Sequence, residues 1–340
     1  LKNKTGSSTG VLLLNLGGPD SLQAVKPFLF NLFSDREIIR LGPSFLQKPI
    51  AYLISSLRGG KTEQAYGLIG GKSPICDITF AQARALEALL NQSSVSTGDI
   101  PDGLRVSVAM RYWHPLIEEV VPVLNTEGIR RLIVLSLYPQ YSVATTGSSL
   151  RKLREVTAKY GMEIFSILSW FDQPLYIDAL VSTIQEGLRL FRATADGDAR
   201  ASDPLVLFSA HSLPVKFIEE GDPYVEEIQG TIDAIVRKID ISWSLSYQSK
   251  SGPVQWLGPS TERMIEDLAE KGTKNLLVVP ISFVSDHIET LYEIDILYKG
   301  MAEKLGMRME RVESLNTSPL FISALKEIVV KAVKEAGWAG

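Results

Sequence analysis

One cysteine, Cys76, is all the thiol chemistry in this 340-residue chain. That excludes an intrachain disulfide, a cysteine-rich zinc site and an iron–sulfur cluster held by four cysteines of one chain. Histidine is nearly as scarce, at three: His114, His211 and His287. Positive charge is not in excess, since 35 Lys and Arg against 39 Asp and Glu leave a net charge of −4. Phosphate backbones therefore find no neutralising face, and nucleic acid is excluded as a partner. No run of 18 apolar residues occurs, so no transmembrane helix is expected. Nucleotide-binding signatures fail as well. Asn15-Leu-Gly-Gly-Pro19 lacks the G-x-G-x-x-G spacing, and Ile69-Gly-Gly-Lys-Ser-Pro74 lacks the spacing of a phosphate loop. The numbering opens on Leu1, so the absence of a targeting signal carries no weight. A reducing, cytoplasm-like compartment fits the single thiol.

What is present is an ordinary globular composition, 45% hydrophobic and 22% charged. Short runs of Val, Ile and Leu alternate with polar helical stretches. Strands are expected at Val11–Asn15, Val106–Met110, Leu132–Ser136, Ile164–Leu168, Leu205–Ser209, Val254–Leu257, Leu276–Ile281 and near Met307–Val312. Strands without polar alternation, separated by helices, argue for parallel sheets covered on both faces, an α/β protein.

Three strand-and-turn units recur. Gly128–Phe283 contains the clearest pair, Gly128–Pro139 against Gly272–Phe283, offset by 144; Val108–Pro115 matches Val254–Ser260 at 146, and Val11–Pro19 matches Leu205–Pro214 at 194. This divides the chain into α/β halves at 1–165 and 175–310, with 311–340 forming a last helix that packs back on the first half. Residues 20–75 are surplus to the repeat. Within them, 27–57 is dense in Phe, Leu and Ile, broken by Pro43 and Pro49. Two packed helices and a loop are the plain reading; an apolar lip over a greasy ligand, resting on a membrane surface, is the sharper one.

Ligands of open α/β sheets sit beyond the carboxyl ends of the strands. All three histidines follow expected strands there. A helix over 285–298 would set Asp286, Glu289 and Glu293 on one face. Such a strip suits cation delivery or proton removal, and its plain alternative is a solvated acidic face. Imidazole and carboxylates without thiolates suit a divalent first-row metal that arrives and leaves.

These motifs together resemble the ferrochelatase family over about residues 10–320. The resemblance rests on Leu14-Asn-Leu-Gly-Gly-Pro19, Gly70-Gly-Lys-Ser-Pro-Ile75, Met110-Arg-Tyr-Trp-His-Pro115, Tyr138-Pro-Gln-Tyr-Ser142, Ser209-Ala-His-Ser-Leu-Pro214, Trp256-Leu-Gly-Pro259 and Phe283-Val-Ser-Asp-His-Ile-Glu-Thr-Leu-Tyr-Glu293. It implies two Rossmann-like three-layer domains around a porphyrin cleft, and a metal-inserting lyase of haem biosynthesis that takes Fe(II) and protoporphyrin IX. It further implies His211 and Glu289 as a catalytic pair facing each other across the macrocycle and touching the substrate iron. Asp286, His287 and Glu293 become the proton or metal route. Arg111, Tyr112, Arg58, Lys61, Ser73, Leu16, Phe28, Leu29, Leu32, Phe33, Trp256 and Phe283 become porphyrin contacts.

Iron is then a substrate, and no cofactor is expected. The iron–sulfur cluster of some members is not expected, because no cysteine follows Cys76. The eukaryotic dimerisation extension is not expected either, as the sequence stops soon after the last helix. Peripheral membrane contact and transient contact with neighbouring haem-pathway enzymes are further expectations. Coproporphyrin III as substrate, another tetrapyrrole chelatase, and a non-catalytic porphyrin carrier are the alternatives. Few cations at the rim (Arg58, Lys61, Arg111) favour the substrate with fewer carboxylates.

Overall fold

The computed structural model describes residues 8–38, 42–97, 101, 103–193, 203–250 and 254–339. The first half carries strands β1 (Ser8–Asn15), β2 (Arg105–Met110), β3 (Ile129–Ser136) and β4 (Glu163–Ile167). Its helices are α1 (Val25–Ser34), α2 (Gln47–Leu68), α3 (Ile75–Thr97), α4 (Ile117–Thr126) and α5 (Ser148–Thr157). Then follow α6 (Pro174–Ala193), β5 (Leu205–His211), α7 (Val215–Glu219), α8 (Tyr224–Val236), β6 (Trp243–Gln248), α9 (Thr261–Glu270), β7 (Asn275–Pro280), α10 (Lys299–Lys304), β8 (Arg308–Arg311) and α11 (Pro319–Glu335).

All strand pairs are parallel, and the two sheets run β2-β1-β3-β4 and β6-β5-β7-β8. The order is the same in both, so the repeat read from sequence is a repeat of topology. Alternate residues of the central strands explain the layers. Val11, Leu13, Ile133 and Leu135 of the first sheet join Val206, Phe208, Leu277 and Val279 of the second in one shared core. Their intervening neighbours, such as Leu12 and Val134, or Leu207 and Val278, bury into separate outer clusters. Each such side chain contributes about 1.5–3 kcal/mol of transfer free energy, which makes an uninterrupted apolar strand the stable sequence here. Helix α11 lies in the shared layer, against α3, α6 and β3.

Two expectations are corrected. Residues 254–257 are not a strand; Trp256 makes only an isolated antiparallel bridge to Pro214. The strand is β6, whose sequence WSLSYQ alternates polar and apolar residues. It is an edge strand: Trp243, Leu245 and Tyr247 face the shared core, while Ser246 bonds Thr261 of α9 at 3.0 Å. A search for unbroken apolar runs passes over that pattern. The offset of the first repeated pair is also one residue longer than expected. Leu14 pairs with Ser136, and Ser209 pairs with Pro280, so the equivalent positions are 195 apart.

The apolar segment forms α1, a short 3-10 turn (Ser44–Leu46) and α2. Pro49 does not break α2, because it falls in the first turn, where a missing N–H costs nothing. Ile39 and Leu41 lie outside the described residues. Phe28, Leu29 and Phe33 pack with Tyr66 and Tyr112 into a fourth cluster. By contrast Phe45, Tyr52, Leu53 and Leu57 are 76%, 68%, 57% and 75% exposed.

Candidate active site

Strands β1, β3, β5 and β7 end on one cavity of about 1020 Å³, open solvent at its mouth included. Leu16 and Leu32 line it from the first half, His211, Trp256, Phe283 and Glu289 from the second. Its wall is overwhelmingly apolar, so the few polar groups in it stand in a poorly solvated space.

His211 is the last residue of β5, and its imidazole Nδ1 lies 2.8 Å from Glu289 Oε2. Burial alone would depress the imidazole; the Glu289 carboxylate, with Glu293 behind it, overrides burial and raises it. Burial would likewise raise Glu289, but the adjacent His211 and His287 and the Ser249 hydroxyl outweigh it and hold the carboxyl low. The pair thus favours an imidazolium facing a carboxylate. The expectation that these residues face each other across a macrocycle is not met, since atoms in hydrogen-bond contact leave no space for a ring between them. Both belong to one wall.

Glu289 opens a π-helical segment, Glu289–Tyr298, and not the α-helix expected from residue 285. Ser249 stands over it with φ of 65°. Its Oγ lies 2.6 Å from Glu289 Oε2 and 2.5 Å from Glu293 Oε2. A hydroxyl has a single proton to donate. With two carboxyls at that distance, one of them must carry a proton of its own. Glu293 is that one: burial first, then the Glu289 charge, pushes it up to about 7. Gln248 Nε2 also donates to Glu293, at 3.3 Å.

His287 is buried, and its Nδ1 is 3.0 Å from the Ser285 carbonyl, which can only accept. Burial depresses this imidazole. Neutral His287 therefore donates through Nδ1 and keeps a lone pair on Nε2, 3.9 Å from Glu289 Oε1. The ring of Phe283 packs edge-on against His287 at 4.4 Å.

The other expected site residues separate into groups. Asp286 does not join the strip. It precedes the helical segment and turns to Arg311, Ser314, Thr290 and Asn316. Arg111 and Tyr112 do not line the cavity. Both donate to Asp35 Oδ2, each at 2.7 Å, and Ser148 Oγ donates to the same oxygen at 2.6 Å. Asp35 was not legible in the sequence, being a single acid at the end of an apolar helix. Arg58 lies over the Phe33 ring at 5.6 Å, and Lys61 is exposed, both off the cavity wall. Ser73 is packed against Gly18, where an added Cβ would come within 2.5 Å of it. Phe28, Leu29 and Phe33 support the lip from inside its own cluster. Ser249 was also missed, although it directly follows β6, whose position the apolar-run pattern concealed. Among the described residues, no three His, Cys, Asp or Glu side chains gather in a way that would hold a metal ion.

Two matching parallel sheets that end on a shared cleft define a two-domain Rossmann-like α/β protein. The solved structure of SirB from Bacillus subtilis with Fe3+ has this fold, with a TM-score of 0.53 at 11% identity, covering 97% of this chain and 98% of that one. The ferrochelatase family model matches residues 8–333. The ferrochelatase of Geobacter metallireducens is 51% identical over 328 residues, 95% of this chain and 98% of its own length. That of Geotalea daltonii is 49% identical over 333 residues, 97% and 99% respectively. The chain belongs to the ferrochelatase family and is a metal-inserting chelatase.

Proposed function

We propose that this chain inserts Fe(II) into protoporphyrin IX: two pyrrole N–H bonds break, two protons leave, and the ferrous ion is bound by all four ring nitrogens. The observation that carries the reading is the His211–Glu289 contact of 2.8 Å on the wall of an apolar cavity lined by both halves. A cavity of that character suits a large flat apolar ligand. The ring nitrogens of such a ligand lose their protons only to a positioned base. His211 first passes its proton through Glu289 toward Ser249; the neutral imidazole then takes a pyrrole proton, and Glu289 stabilises the imidazolium that forms again. Ser249 and Glu293 carry the proton onward. The unprotonated Nε2 of His287 and the Glu289 carboxylate offer the incoming ferrous ion one nitrogen and one oxygen donor. Two buried acids with one shared hydroxyl would serve a carrier poorly, which favours turnover over storage.

The test is anaerobic incubation with protoporphyrin IX and Fe(II), following loss of free-base fluorescence. Multiple turnovers are expected in the wild type. In His211→Ala and Glu289→Ala the rate should fall by about 10²–10⁴-fold while porphyrin still binds. Binding without turnover in the wild type, repeated with coproporphyrin III and with Co(II), would make the chain a carrier.

The exposed apolar side of the lip suits contact with a bilayer surface from a cytoplasmic position, and porphyrins partition there. No helix among the described residues is long and apolar enough to cross a membrane. Flotation with anionic liposomes should carry the protein, and Leu53→Ser with Leu57→Ser should leave it behind. Equal flotation of the two proteins would end the membrane proposal.

A further inference from the structure

The loop from Ile281 to Ile288 presents His287 and leads into Glu289, and nearly every polar group behind it has a partner. Asp286 Oδ1 accepts from Arg311 Nη1 at 3.1 Å, Ser314 Oγ at 2.8 Å and Thr290 Oγ1 at 3.0 Å. Its Oδ2 accepts from Asn316 Nδ2 at 2.8 Å, and its backbone N–H donates to Asn316 Oδ1 at 3.0 Å. Arg311 also forks onto Asp295, with both bonds at 2.8 Å. It therefore ties the loop before the π-helical segment to the middle of that segment.

Asn316 is the less conspicuous part. Its φ is 41°, a left-handed conformation that few side chains other than Asn or Asp tolerate. Its N–H donates to the Val284 carbonyl at 2.8 Å. Its own carbonyl accepts from Gln82 Nε2 at 2.8 Å, and that nitrogen is also 2.9 Å from Ser285 Oγ. All the polar groups of Asn316 are thus spent on this loop or on Gln82, a residue of α3 in the first half. Neither Asn316 nor Arg311 lines the cavity.

We infer that Asn316 and Arg311 are positioning residues for metal insertion, acting through Asp286, which anchors the loop and carries no ion. The inference rests on the insertion reading for its kinetic test but not for its structural one. Asn316→Gly keeps the left-handed backbone and removes only the side-chain bonds. It should raise hydrogen exchange of the 284–292 amides, a readout that needs no turnover. It should also lower kcat by about 10- to 100-fold, leaving the KM for Fe(II) and for porphyrin within about twofold. Asp286→Asn should show the same split. Unchanged exchange and unchanged kcat in Asn316→Gly would overturn the inference. So would an Asp286→Asn variant whose Fe(II) KM rises tenfold while Asn316→Gly behaves as wild type, since that result makes Asp286 an ion ligand. If Asn316→Gly does not fold, Gln82→Met removes the bonds from the other half and is read in the same two ways. A wild-type chain that fails to insert metal refutes the insertion reading and leaves the exchange comparison standing.

Discussion

Counted along the sheet registers, Leu16 of the first half occupies the position of His211 in the second. Carrying the offset of 144 past β3 and β7 sets Thr145 against Glu289 and Ser149 against Glu293. Leu16, Thr145, His211 and Glu289 all line the cavity. Both halves even pass from the third strand of the repeat into a π-helical turn, Val143–Gly147 in one and Glu289–Tyr298 in the other. The backbone is thus duplicated while the chemistry is not. One half supplies neutral and apolar surface and the lip; the other carries His211, Glu289, Glu293 and Ser249, the groups proposed as base, acids and relay hydroxyl. An apolar face opposite the charged one keeps water from competing for the proton and sharpens the interaction between His211 and Glu289.

The severest way to break this comparison is to move the base across the cleft. Leu16→His in a His211→Ala background puts an imidazole at the equivalent position, without Glu289 or Ser249 beside it. Fluorescence assays should find the roughly 10³-fold loss uncorrected. Recovery would mean that the halves are chemically interchangeable.

A sharper and smaller effect concerns pH. Below about 7 the Glu293 carboxyl keeps its proton and cannot take one from Ser249; above it, the relay is free to accept. The wild-type kcat should therefore rise as pH increases through about 7. Glu293→Gln should be slower by about tenfold and lack that rise, which a pH–rate profile of both proteins checks.

Asp35 gives the smallest effect, and it falls on stability. Burial would raise its carboxyl, but the bonds from Ser148, Arg111 and Tyr112 outweigh burial and hold it low. A carboxyl depressed on folding stabilises above its unfolded pKa, near ~3.9, and that contribution is lost as pH falls through the folded value. Urea unfolding at pH 7 should show Asp35→Asn less stable by about 2 kcal/mol, with the gap to wild type closing below about pH 4.

The parallel sheets were legible because strands buried on both faces are written as unbroken apolar runs, as in Val11–Asn15 and Leu276–Ile281. An edge strand such as β6 is half polar and was not. His211 was legible as one of only three histidines, at the end of an expected strand, and Glu289 as one acid of the strip that follows another. The direct contact between them was not, because it depends on how two loops far apart in sequence meet. Asp286 read as one more acid of a strip; its partners Arg311 and Asn316 lie 25 and 30 residues away, beyond any periodicity. Asp35 escaped for the same reason, its partner Arg111 being 76 residues distant.

The lip lies between β1 and β2, in the crossover that in the second half runs from β5 to β6 without such an addition. An insertion at that point leaves every strand pairing in both sheets unchanged. The entrance is thus a module that evolution or an engineer can lengthen, trim or exchange while the reactive groups stay fixed. Selectivity for what enters and competence for what is done to it can be altered one at a time.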